Sequence, residues 1–379
     1  STQISGSLDV SAEKGDAGGI SIWGPHIQIQ RGTKIHLNAQ QGRRASLDVE
    51  VTSGDLHAAD ADAASSESRI DAAVLSAALE EGDVRLKSGE GNIQVDAPVS
   101  WQRHLLRLDA QQDIHVNSVM TAIGTATLEM NHGGHDADTD SPATWDDSGV
   151  HMALSDDGFT GRVDFKDVLD QSETLNPRLK INGESYALLT EVVNHPFLTQ
   201  ANATQSLRGI TDLKFLTQAN ATQSLRGITD LNGNYAMAAA VGVADGSVFT
   251  PIGTEDKPFT GRLDGLGHKI TNLSITPELK DPSHVALLGV SEGDLRNLDL
   301  DGGESRLGWR VGSKVNIASF VGELRDGGRI ANVRTSADVS AVAITGKSAS
   351  VTAGNIVGKM AGGAISNAHA YGSVTATAT

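Results

Sequence analysis

No cysteine occurs in the 379 residues, which excludes disulfides, thiolate metal centres and cysteine nucleophiles together. Proline is scarce at 9 residues, and aromatic side chains make up only 4%. A globular enzyme of this length would bury more large rings in a thick core, whereas a narrow core of Ile, Val, Leu and Ala needs few. No run of about 18 apolar residues is present, which excludes a membrane-spanning helix. Positive charge is in deficit: 30 Lys and Arg stand against 47 Asp and Glu, for a formal net charge of −17. Such a field repels nucleic acid and anionic lipid, keeps a long chain soluble and attracts divalent cations.

What the chain has instead is glycine, 42 residues of it, and repetition. Residues 7–12, 19–24, 27–30, 34–39 and 46–51 each place an apolar side chain at every second position, the period of a strand with one buried face. Gly, Asp, Asn and Gln punctuate these runs, as turns require. Arg85-Leu86 is answered by Arg107-Leu108, and Ile93 and Val95 by Ile114 and Val116, a period of 21 to 22 residues. The run 126–131 continues the series. Self-similarity at such a period marks a solenoid.

The last third repeats at 35 residues. Residues 284–302, 317–340 and 353–376 are three versions of one unit, with Asn297, Asn332 and Asn367 at the same place and Gly289, Gly322 and Gly358 ahead of them. A glycine fixed in a repeat permits either φ > 0 or a close backbone approach. The asparagines are open to two readings, as ordinary turn residues or as a ladder of amides bonded between copies.

The middle differs. Residues 130–149 form a polar, acidic segment, followed by an expected strand pair, 150–155 with 159–165. Asn182-Gly183 is the strongest short hairpin signal in the chain. Residues 197–213 recur unchanged at 215–231, an offset of 18 residues that keeps the apolar stripe of a helix in phase. The expected organisation is therefore 1–131 as repeats of about 21 residues, 132–235 as loop, hairpin and short helical insertions, and 236–379 as 35-residue Gly-rich repeats.

The runs 82–101 and 105–122 resemble the repeats of filamentous-haemagglutinin-like exoproteins of two-partner secretion systems. Residues 231–241, 249–253 and 259–275 are similar to a segment common in those exoproteins, and the 35-residue units resemble the GLUG repeat found in the same adhesins. The resemblance covers most of the chain and leaves the acidic segment and the duplication unmatched. It implies an all-β fold, a right-handed parallel β-helix, export through an outer-membrane pore partner, and a place on the cell surface or in the biofilm matrix. The partners it implies are extracellular polysaccharide or surface proteins of other cells; the same secretion class also includes proteins that capture a host haem carrier. The chain opens STQISGSLDV and closes YGSVTATAT, both strand-like, so an internal stretch of a longer polypeptide is expected. The single Asn176-Pro177 sits mid-chain, unlike the signature of that family's secretion domain.

Few residues suggest chemistry. Asp136, Asp138 and Asp140 match the first three ligand positions of a calcium loop, and Asp147 matches the twelfth. Ser141 at the sixth position and Asp at the twelfth depart from the pattern, so a solvated acidic loop competes with calcium binding. His132 and His135 are close enough to suggest a transition metal, but without a third ligand they read as surface histidines. Asp264 and Asp299 are the carboxylates to consider for a β-helical polysaccharide lyase or hydrolase. No acid cluster recurs with Arg or Lys on one face, so no enzyme and no resident cofactor are expected. Asn202, Asn220 and Asn272 head Asn-x-Ser/Thr triplets and are open to glycosylation.

Overall fold

A computed structural model describes residues 2–43, 45–60, 66–135, 149–168, 177–189, 230–242, 249–276, 283–307, 314–343 and 350–378. The acidic segment from Asp136 to Asp147 and the 197–231 duplication, apart from its last two residues, lie outside the described residues. The regular secondary structure of the described residues is almost all strand, mostly paired in parallel, with a single α-helix. The chain divides into two compact units, 1–186 and 187–379.

In the first unit the strands build parallel ladders. One contains Ile20–Gly24, Ser46–Val51, Asp83–Ser88, Leu105–Ala110, Thr127–Asn131 and Leu179–Ile181. A second contains Thr2–Ile4, Ile27–Ile29, Ser68–Asp71, Leu56–Ala59, Ile93–Val95, Ile114–Val116 and Val150–Met152. A third contains Val99–Trp101, Val119–Ala122 and Arg162–Phe165. From Asp83 onward the chain visits the three ladders in a fixed order, one strand in each before it returns to the first. Register follows the repeat: Arg85 pairs with Arg107, Leu86 with Leu108, Ile93 with Ile114 and Val95 with Val116. The apolar member of each alternation, such as Leu86, Leu108, Ile93, Ile114 and Val116, is fully buried. Each such side chain contributes about 1.5–3 kcal/mol, so a core mostly of Ile, Val, Leu and Ala needs only a few rings such as Trp101 and Phe165.

Corner side chains tie one layer to the next. Asn92 N–H donates to Asp55 Oδ1 at 2.8 Å, Asp113 N–H to Asn92 Oδ1 at 3.0 Å, and Gly149 N–H to Asp113 Oδ1 at 2.7 Å. A polar turn residue thus caps a backbone donor a full layer away, where the ladder itself does not reach.

One layer breaks the order. Ser68–Asp71 inserts between Ile27–Ile29 and Leu56–Ala59, so the chain runs back on itself before continuing. It leads into the helix Ala72–Glu81, which lies in the N-terminal segment read as strands alone. Asp71 caps the helix, accepting from Ala73 and Val74 N–H at 3.1 and 3.2 Å. Ala72, Val74, Leu75, Ala78 and Leu79 are buried at helical spacing. The helix packs between Lys34–His36 and Val99–Trp101, where the third ladder would otherwise have a strand. A helix offers its neighbours no ladder groups, so its side chains supply the acceptors: Glu81 for Leu37 N–H (2.8 Å), Ser76 for Ser100 N–H (3.2 Å) and Glu80 for Gln102 N–H (3.0 Å).

The hairpin at Asn182-Gly183 is present, with both residues at positive φ (47° and 75°) and Leu179–Ile181 antiparallel to residues 184–186. The strand pair expected over 150–165 is corrected. Only Leu154–Ser155 and Gly158–Phe159 pair antiparallel, while Val150–Met152 and Arg162–Phe165 join the parallel ladders. Those ladders bury Val150, Met152, Val163 and Phe165, which a two-stranded hairpin would leave half-exposed.

In the second unit each 35-residue repeat makes one layer of four ladders. One repeat supplies Lys314–Ile317, Val321–Leu324, Arg329–Thr335 and Asp338–Ala343; the next supplies Ser350–Ala353, Val357–Met360, Ala364–Ala370 and Val374–Ala378, pairing each with its counterpart. Arg329–Thr335 turns at Asn332 (φ 53°), so its first half pairs with Asp294–Arg296 and its second with Asp299–Asp301. Phe249, Phe259, Phe320, Leu295, Leu300 and Ile330 fill the interior.

Candidate functional site

The residues singled out by the 35-residue repeat form two columns through the second unit. Asn297, Asn332 and Asn367 all adopt left-handed backbone conformations (φ 52°, 53° and 45°) at the same corner. Asn332 Nδ2 donates to Asn297 Oδ1 at 2.7 Å and Asn367 Nδ2 to Asn332 Oδ1 at 2.6 Å. Both sequence readings therefore describe the same residues: turn formers whose amides run on as a ladder. The glycines form the second column. None of Gly289, Gly322 and Gly358 is among the residues with positive φ. Close approach accounts for them: a Cβ would lie 2.3 Å from Gly253 O at Gly289, 2.6 Å from Gly289 O at Gly322, and 2.9 Å from Gly322 O at Gly358.

The two carboxylates considered for sugar chemistry are both engaged internally. Asp264 is buried and heads the asparagine ladder, accepting from Leu266 N–H (2.8 Å) and from Asn297 Nδ2 (3.0 Å). Burial pushes its carboxyl up, against the attraction of Arg296. Asp299 is buried beside Arg334, whose Nη1 donates to both its oxygens at 3.1 and 3.0 Å.

Asp264 has a testable consequence. A carboxyl raised in the folded state stabilises the fold fully below the ordinary carboxylate range, and that contribution is lost as pH rises through the raised value. Asp264→Asn keeps an oxygen to accept from Leu266 and Asn297 and turns the head of the ladder into another amide. It is expected to melt above wild type near pH 8, with the gap closing as pH falls to about 4. Thermal melts of both proteins across that range check this; a gap that does not depend on pH would refute the burial argument.

The other expectations fall as follows. Asp136, Asp138, Asp140, Asp147, Asn202 and Asn220 lie outside the described residues, and Asn272 is exposed at a turn (φ 59°). His132 is buried, not on the surface as expected; its N–H donates to Asn182 Oδ1 at 2.8 Å, because the Asn182-Gly183 hairpin folds over it. Both ring nitrogens of His135 are buried with no partner among the described residues.

Two polar groupings escaped sequence reasoning. In the second unit, Glu323 is buried with Arg325 Nε at 2.9 Å, Lys359 Nζ at 3.1 Å and Asn316 Nδ2 at 3.4 Å. Burial would raise this carboxyl, but the bonds from Arg325 and Lys359 hold it below the usual range. His284 packs beside Asn316, its Nε2 3.5 Å from Glu255 Oε1, and burial holds its imidazole low.

In the first unit, the outer face of the second ladder carries His57, Gln94, His115 and His151 in consecutive register. His57 Nδ1 is 2.7 Å from Asp96 Oδ2, and this hydrogen bond holds the imidazole above its ordinary value. The alternation Ile-His-Val and Val-His-Met was visible in the sequence. That the two histidines are neighbours was not, because 36 residues separate them and the acidic segment intervenes. Among the described residues, no three His, Asp or Glu side chains converge as a ready-made metal centre.

No family model matches the chain, and no solved structure matches it. Over 107 residues it is 34% identical to Halomucin of Haloquadratum walsbyi, an alignment that takes in 24% of this chain and 1% of that protein. The match thus spans about one hundredth of the length of this curated relative.

Proposed function

We propose that the chain is a right-handed parallel β-helix and a segment of the shaft of a secreted adhesin of the filamentous-haemagglutinin-like class. It would be exported through an outer-membrane pore partner and act at the cell surface or in the biofilm matrix. The observation that carries this reading is the fixed order in which the chain revisits the same parallel ladders, layer after layer. Such a stack draws its stability from neighbouring layers only, so it can fold progressively from one end as the chain emerges from a pore. It needs no disulfide for rigidity, and the chain has no cysteine to form one. The similarity to a stretch of Halomucin that is 1% of that protein favours a place within a very long polypeptide.

The ligand in this reading is extracellular polysaccharide or the surface of another cell. The chain, immobilised on beads, is expected to retain biofilm polysaccharide saturably without releasing reducing or unsaturated sugar ends. Sustained release of such ends would replace the adhesin with a lyase or hydrolase. Selective retention of a serum haem carrier, with none of polysaccharide or cells, would replace it with a capture protein. Small-angle scattering supplies the test of shape, since a compact, near-spherical profile would remove the shaft.

A further inference from the structure

The outer face of the Ile93–Val95, Ile114–Val116 and Val150–Met152 ladder places His151 directly on His115. Parallel pairing at about 4.8 Å between strands stacks the two imidazoles, with ring centroids 5.4 Å apart and planes inclined by 24°. Asp113 stands at the adjoining corner, its Oδ1 3.6 Å from His151 Nε2. The same carboxylate accepts from Gly149 N–H at 2.7 Å, and the Asp113 N–H donates to Asn92, so both its main chain and its side chain are anchored.

The 3.6 Å separation is informative. It exceeds a hydrogen bond, for which N···O is about 2.7–3.2 Å. It is close to the edge of a tetrahedron around a zinc-class ion, where bonds of about 2.0–2.2 Å to imidazole nitrogen and carboxylate oxygen set the ligand atoms about 3.3–3.5 Å apart. Two donors thus stand close to ligand spacing, and His115 is stacked on His151 one layer away.

The layers below are differently engaged: Gln94 Nε2 donates to Asp55 Oδ2 at 2.9 Å, and His57 is held by Asp96. Imidazole with one carboxylate suits zinc, copper and nickel better than calcium or magnesium. The net charge of −17 favours accumulation of such cations.

We propose that His115, His151 and Asp113 bind a divalent transition metal of the zinc class, with water completing the coordination. The proposal concerns this chain's own side chains and does not depend on the adhesin reading.

The test is calorimetric titration of the metal-stripped full chain with zinc chloride at neutral pH, on wild type and on His115→Gln, His151→Gln, Asp113→Asn and His132→Gln. Glutamine already occupies this column at Gln94, so the first two changes suit the ladder. One zinc per chain is expected, with binding at least about tenfold weaker in each of the first three variants and unchanged in His132→Gln. Absence of zinc binding to wild type, or equal affinity in the His115 and His151 variants, would overturn the site. A second measurement needs no variant. Diethylpyrocarbonate labelling of wild type, read by peptide mass spectrometry, should show His115 and His151 protected by zinc; labelling indifferent to zinc would equally overturn it.

Discussion

Gly322→Ala is expected to lower the stability of the second unit by about 2–3 kcal/mol, and Gly322→Val by more. The added Cβ would stand 2.6 Å from Gly289 O and 2.9 Å from His284 Cβ. The first of these atoms is backbone in a ladder and cannot swing aside. The effect is purely steric, because Gly322 does not need a left-handed conformation. Gly242→Ala is the matched control, since among the described residues its Cβ would meet only Thr271 Oγ1 at 3.4 Å, an ordinary contact. That substitution should stay within about 0.5 kcal/mol of wild type. Denaturant melts of the full chain measure both; a Gly322→Ala midpoint no lower than that of Gly242→Ala would show that the glycine column is not a packing constraint.

Arg178→Ala should cost the first unit about 3–4 kcal/mol. Arg178 is buried, and its guanidinium donates to three backbone carbonyls: Ala126 O at 3.0 Å, Lys166 O at 2.8 Å and Ala122 O at 3.0 Å. It also lies over the Phe165 ring, 5.3 Å from the centroid. One planar, five-donor group can bind three acceptors that diverge in direction, which an ammonium cannot do as well. Arg178→Met retains most of the stem against Phe165 and removes the donors. It should therefore recover about 1 kcal/mol of the alanine loss. Equal stability of wild type and Arg178→Met would mean that those carbonyls do not depend on the guanidinium.

How far the fold was legible depends on whether a contact repeats. The pairings of Arg85 with Arg107 and of Ile93 with Ile114 follow from sequence spacing alone, because parallel ladders put equal positions of successive repeats side by side. The same logic aligns Asn297, Asn332 and Asn367. It fails where a layer departs from the pattern. The reversal at Ser68–Asp71 has no repeat to expose it. The helix Ala72–Glu81 did carry local signals, with Asp71 as cap and an Ala- and Leu-rich run, but they sit inside a segment otherwise dominated by strand alternation.

The sites were less legible for a related reason. Asp264 reads as a turn aspartate, and only the stack of layers shows that it is buried above an amide ladder. The closeness of Asp113 to His151 is also a product of stacking, since the two residues are 38 positions apart in sequence. Arg178 bonds carbonyls contributed from 12, 52 and 56 residues away, separations that are not multiples of the 21- to 22-residue period.

The glycine and asparagine columns share one pitch of about a repeat, and this limits how the second unit can evolve. A deletion or duplication that removes or adds a whole repeat leaves glycine over glycine and asparagine over asparagine at the new junction. A change of a few residues within the strands displaces both columns at once, so a Cβ would meet a carbonyl and an amide would lose its neighbour. Such a protein can lengthen or shorten readily only in whole increments, while residues between the strands remain free to vary in number, much as a staircase can gain a step but not a fraction of one.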